Sequence, residues 1–205
     1  ILDNRSSEES CQAACRASLS MFQQLQRLNT HRAIENSDPI KMAFGVHTGE
    51  ITAGVIQPDD SFEYIFCGEA MDKVEFCKGV GKEYISETFI LVSDVCHEMI
   101  SSKFMFRELD KVSGENYDAV RLFELLGESK TDLDPIKGKA CNHYREGLGH
   151  YKARRWRIAS EHFKKAWEVN FDKPGHMLYN RCKGYVESPL NAPMEDWDGS
   201  IHLDI

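Results

Sequence analysis

Gly45-Val46-His47-Thr48-Gly49-Glu50-Ile51-Thr52-Ala53-Gly54-Val55-Ile56 is the stretch on which the reading of the fold turns. Together with Ile40 to Phe44 before it, it sets β-branched and aromatic residues around three glycines. The pattern predicts two short strands joined by a tight glycine turn at His47-Thr48-Gly49. Upstream, Cys11, Ala14, Cys15, Leu19, Phe22, Leu25 and Leu28 recur at three- and four-residue steps, which predicts a helix over residues 9–28 buried along one stripe. The polar run 29–39 is expected to close it. Downstream, residues 57–61 read as a loop, 61–67 as a strand, 70–80 as a helix and 90–96 as a buried strand running into a helix. Residues 103–112 and 119–127 read as a closing hairpin around Ser113-Gly114. The order helix, hairpin, helix, strand, hairpin is an α+β plan. Its expected core is Val46, Ile51, Val55, Phe66, Leu91, Phe106 and Leu122, the alternating apolar strand positions.

Beyond Gly127 the character changes. Residues 128–135 are charged and end in proline, a linker pattern, and the residues after them are helix-forming. The chain therefore divides into residues 1–127 and a helical extension, 128–205. Within the extension Gly147, Ala159, Phe163 and Ala166 fall at spacings that resemble one tetratricopeptide repeat, and a plain helical hairpin finishing the fold reads equally well. Two solitary helices need a docking surface. Tyr144, Tyr151, Trp156, Phe163 and Trp167 are the expected anchors onto the first unit or a partner. Residues 192–205 are too polar for a helix, with Trp197 as their anchor.

Of the 205 residues, 41% are hydrophobic and 28% charged, enough for a real core. A net charge of -8 gives no positive field for a phosphate backbone, so nucleic acid is not an expected partner. The basic cluster from Lys152 to Arg157 reads as a solvated helix face. No apolar run approaches a membrane span. Ile1 opens the chain without signal-peptide features, so it reads as a fragment of something longer. Seven cysteines, an odd count without a C-x-x-C pair, point to a reducing, cytoplasmic setting. The eight histidines lack H-x3-H spacing beside cysteines, so no metal is expected on this segment alone.

The run from Gly45 to Ile56 resembles the G-[IV]-H-[TS]-G-x-[VI]-x-A-G-x-[IV] segment of class III adenylate/guanylate cyclases. Around it the order is similar too: a helix with an A-x-x-A-x-x-M flavour at residues 14–21, Phe62 to Asp72 where the family runs a strand into G-D-x-V-N, then residues 90–96, 104–112 and 120–126. The resemblance covers roughly residues 11–126 and implies the C-terminal half of a ferredoxin-like cyclase domain. The extension, with Asn180-Arg181-Cys182 and Asp196-Trp197-Asp198-Gly199, is similar to those that follow some microbial cyclase domains.

The chemistry implied by the resemblance is less complete. Family members hold magnesium and a nucleoside triphosphate, and their two metal-binding aspartates would lie upstream of Ile1. Where the family carries an asparagine for the ribose and an arginine for the transition state, this sequence has Asp72 and Phe76. The purine-reading position is Ile65, and Ser113 stands in place of a phosphate-gripping lysine. All four departures move away from anion binding. Lys73, one residue from Asp72 on the helix, would face elsewhere. His47 and Glu50 read as turn residues. No catalytic, cofactor or metal residue is therefore expected here, and three functions are compatible with the sequence. The first is a pseudoenzyme half serving as scaffold or regulator beside another cyclase-type domain. The second is a half-site contributor to a heterodimer making cyclic AMP or cyclic GMP. The third is a structural protein of a larger assembly.

Overall fold

The computed structural model describes residues 6–57, 62–85, 88–115, 117–128 and 133–203. Most of the expected loop 57–61 and half of the expected linker 128–135 lie outside the described residues.

Ser6 opens the first helix with a capping box, accepting from the Glu9 amide while the Glu9 carboxylate accepts from the Ser6 amide. This helix, α1 (Ser7–Ile34), runs further than expected. Its last turns carry no apolar stripe and continue into solvent, and His31 and Arg32 complement the dipole there. Asn36, at φ 53, then turns the chain.

Strand β1 (Ala43–Val46) is followed by β2 (Thr52–Ile56), β3 (Glu63–Cys67), α2 (Glu69–Tyr84), β4 (Phe89–Ser93), α3 (Asp94–Ile100), β5 (Met105–Gly114) and β6 (Tyr117–Gly127). The expected hairpin at His47-Thr48-Gly49 does not form. Instead β1 pairs in parallel with β4, Gly45 opposite Leu91 and Val46 opposite Val92. Strand β2 pairs antiparallel with β3 in a separate two-stranded ribbon. Local alternation is the same for either pairing, so it could not choose the partner. One consequence corrects the expected core: Ile51, Val55 and Phe66 are 51%, 54% and 46% exposed, because no described residue covers the ribbon's apolar side chains. Val46, Leu91 and Leu122 are buried as expected, and Phe106 is partly buried.

Strand β4 is buried along its whole length because both faces of the sheet are covered. Ile90 and Val92 pack with Cys11, Cys15, Cys96 and Ile100 of α1 and α3. Phe89 and Leu91 pack on the other face with Phe76, Val80 and Tyr84 of α2. Gly81 makes this second contact possible, since a Cβ there would stand 2.4 Å from the Phe89 ring.

The extension comprises α4 (Pro135–Lys152), α5 (Trp156–Asn170), α6 (Lys173–Glu187), a 3-10 turn (Pro189–Asn191) and β7 (Ser200–His202). Helices α4 and α5 meet at Gly147, where a Cβ would fall 2.9 Å from the Phe163 ring. Lys152 to Arg157 is not a helix face. It straddles the turn between the two helices, where Arg154 takes φ 56. Strand β7 joins the main sheet in parallel with β5, Lys111 opposite Ser200, giving the order β1-β4-β6-β5-β7.

A polar seam fastens the extension to the sheet. Tyr144 donates its hydroxyl to the Leu109 carbonyl at 2.6 Å. Arg107, buried, pairs with Glu124 and, at 2.6 Å, with Asp172, which also caps α6. Arg181 pairs with the buried Asp110 and donates to the Tyr84 hydroxyl at 3.0 Å. Met177 and Leu203 add apolar contact against the α2 face. Of the expected anchors, Trp156 and Trp167 do not reach the sheet. Trp156 packs on Tyr151, Tyr185 and Trp197, and Trp167 stacks on His176, all inside the extension. Their rings pack within the extension, leaving the seam to Tyr144, the charged pairs, Met177 and Leu203.

Candidate functional site

Parallel strands β1 and β4 end side by side at Val46 and Ser93, and polar side chains gather where they end. His47, next after β1, meets Ser93 across a 2.8 Å contact between Nδ1 and Oγ. Burial, then Lys73, lower the His47 pKa below its ordinary value, so the ring favours its neutral form. Asp94 opens α3, accepting from the Val95 amide at 2.9 Å and the Arg121 amide at 3.3 Å. Lys73 reaches back one helical turn to Glu69 at 2.6 Å and also feels Asp118 and Asp94. Carboxylates outnumber cations in this group, so its field disfavours an incoming anion.

The family-matched positions scatter around this cluster. Asp72 is exposed on the first turn of α2. One turn on, Phe76 is 5% exposed and stacks on Tyr117 with centroids 4.6 Å apart. Its ring lies against Gly114, where a Cβ would come within 2.8 Å, so Phe76 meets the end of β5, in which Ser113 and Gly114 are strand residues and not the expected turn. Ser113 sits on the β5 edge opposite His202, and its carbonyl accepts from Leu203 at 2.9 Å. Ile65 is on the β2–β3 ribbon opposite Gly54, with its side chain largely exposed. Nothing in the sequence points to Ser93 and Asp94 here, because only the parallel pairing of β1 with β4 brings them to His47, nor to Asp118, which reaches the group through Lys73.

A cleft of about 630 Å³ lies elsewhere, between α1, the sheet end at Leu125 and the start of α6. Four of its charged lining residues are the seam itself, Arg107, Glu124, Lys137 and Asp172, and Lys173 and Asp134, which caps α4, are the others. Burial alone would raise Glu124, but Arg107 and Lys137 hold its carboxyl below the usual range. Those charges are committed to one another, which makes the cleft a structural joint. Among the described residues, the histidine, cysteine and carboxylate side chains that converge at metal-ligand separations are His143, Glu146 and His162, in the extension and away from either place. No helix among the described residues is long and apolar enough to cross a membrane.

The architecture is an α+β, cyclase-like fold with a helical extension. Comparison with known protein families and with curated proteins returns no match. Among solved structures, the chain is similar to the adenylyl cyclase CyaB from P. aeruginosa, with a TM-score of 0.54 and 17% identity over 65% of this chain and 66% of that one. It is also similar to the guanylyl cyclase Cya2, with a TM-score of 0.50 and 20% identity over 57% of this chain and 59% of that one. The chain thus matches less than two thirds of each cyclase structure, and at these identities the likeness is one of fold.

Proposed function

We propose that this chain is a catalytically silent cyclase-type unit, a scaffold or regulatory partner for a second cyclase-type domain in cyclic-nucleotide signalling. The observation that carries the reading is the fate of two α2 side chains. Asp72, where the resemblance implies asparagine, faces solvent, and Phe76, where it implies arginine, is sealed beneath Gly114 and Tyr117. A phenyl ring in an apolar core donates nothing to phosphate charge, and a carboxylate opposes a polyanion. Ile65 offers no polar atom to a purine edge. These residues do not fit a magnesium nucleoside triphosphate. The α4–α5 pair, closed on Gly147, supports a tetratricopeptide-like extension, and the seven thiols support a reducing, cytosolic setting.

The exposed ribbon supports a partner. Val55, Tyr64, Ile65 and Phe66 present apolar surface that no described residue covers. With ATP or GTP and magnesium or manganese, the chain alone yields neither cyclic AMP nor cyclic GMP. Turnover that vanishes in Asp72→Ala would overturn the reading. The same ribbon favours the second reading, a half-site contributor, and one assay separates the two: only a half-site makes the activity of an added intact cyclase domain depend on Asp72.

A further inference from the structure

His143 and Glu146 lie three residues apart on α4, and α5 brings His162 to the same spot. The Glu146 carboxylate stands 3.9 Å from His143 Nδ1 and 3.0 Å from His162 Nδ1. Both nitrogens are buried, and neither finds a hydrogen-bond partner among the described residues. The shorter contact is within hydrogen-bond distance, yet it does not form a hydrogen bond. Two orphaned ring nitrogens and one carboxylate thus converge on the same small space. Leaving buried polar atoms unmatched costs stability, so something that accepts both lone pairs would stabilise the arrangement.

We propose that His143, Glu146 and His162 form a binding site for a borderline divalent transition metal of the zinc class, clamping α4 to α5. Imidazole nitrogen selects zinc, cobalt or nickel over magnesium and calcium, which take oxygen ligands. In a tetrahedral zinc site, bonds of about 2.0–2.1 Å put ligand atoms about 3.3 Å apart. Here all three ligand atoms lie within 4.8 Å of one another, so each pair has about 1.5 Å or less to close. Three protein ligands leave the fourth position to water. Coordination uses the lone pair of each neutral Nδ1 and one carboxylate oxygen, with no covalent or redox change. The ring of His150 stacks on that of His162 at 5.3 Å and restricts its rotation.

The seven free thiols are competing ligands, of which Cys67 is exposed and Cys141 partly so. Cobalt(II) is therefore the probe, because thiolate ligation adds an intense near-ultraviolet charge-transfer band that nitrogen and oxygen ligation lacks. The full chain is expected to bind one equivalent of cobalt, with visible d–d bands, no thiolate band, displacement by zinc, and a higher thermal midpoint when zinc is added. His162→Gln should lose the bands and the thermal shift while keeping the metal-free midpoint within a few degrees, and Glu146→Gln should weaken binding at least tenfold. Millimolar magnesium should leave the bands unchanged. Bands that persist in His162→Gln, a thiolate band in the wild type, or no stoichiometric binding would each overturn the site. None of these readouts involves nucleotide turnover, so the clamp and the proposed function fail separately.

Discussion

Arg107 is a cation with almost no access to water, and its position on β5 gives no local hint of that role. It sits between Glu124 and Asp172, with its guanidinium 5.0 Å from the centroid of the Tyr144 ring. Burial works against its charge, and the two carboxylates more than offset this, keeping it protonated. Arg107→Met would leave two buried carboxylates facing each other with Lys137 as their remaining cation. Removing one partner of a buried ion pair costs about 3–5 kcal/mol. Urea denaturation of the variant is expected to show a loss of that order, and a change below about 1 kcal/mol would mean that Lys137 carries the seam. Converting Arg107, Glu124 and Asp172 together to apolar residues should cost far less, because the desolvation penalty disappears with the charges.

Among the elements, α2 shows how closely this fold depends on single atoms. Gly81 lets the helix lie on Phe89 and Leu91, where an added Cβ would meet ring and methyl carbons at 2.4 to 2.7 Å. Gly81→Ala must push the helix off the sheet or force those side chains from their rotamers, an overpacking cost of about 1–3 kcal/mol. Equilibrium unfolding measures it. By contrast, the same substitution at Gly149, which has open space around it, should be neutral or stabilising through helix propensity. Elements of this kind were legible in the sequence: α1, α2, β4 and the β5–β6 hairpin all follow from periodicity and turn residues. Pairing was not. The alternation in residues 40–56 suited a hairpin, whereas the chain sends β1 to β4 and β2 to β3, a choice made by contacts distant in sequence. Of the candidate cluster the sequence singled out His47 and Lys73 and set both aside, while the family resemblance marked Asp72, Phe76, Ile65 and Ser113, which scatter around it. Arg107, Asp172 and the convergence of His143 with His162 needed coordinates, since a buried pair joining remote segments leaves no spacing to read.

At the scale of the whole molecule, acid is expected to act in two steps. His47 and His97 are both lowered from the ordinary 6.5, by burial first and then by Lys73 and Arg121 respectively. The unfolded chain therefore takes up these protons before the folded one. Their contribution is complete above about 6.5 and is lost as pH falls through the folded values. Glu124, held below 4.5 by Arg107 and Lys137, adds a second loss as pH falls through its own folded value. Thermal melts followed by circular dichroism should show a shallow decline of the midpoint below pH 6.5 and a steeper one below 4.5. In His97→Gln the shallow segment should flatten, and an unchanged slope there would assign the first step to other groups. Strand β7 has a consequence in time as well. The β5 edge it covers, and the arginine that Asp172 matches, are synthesised well before their partners. While the ribosome still holds residues 172–202, the nascent sheet carries a bare edge and a buried cation matched by Glu124 but not yet by Asp172. Such an edge is a template for pairing with a neighbouring nascent chain or for capture by a chaperone. Folding of this protein ends with a clasp that must wait for translation to deliver it.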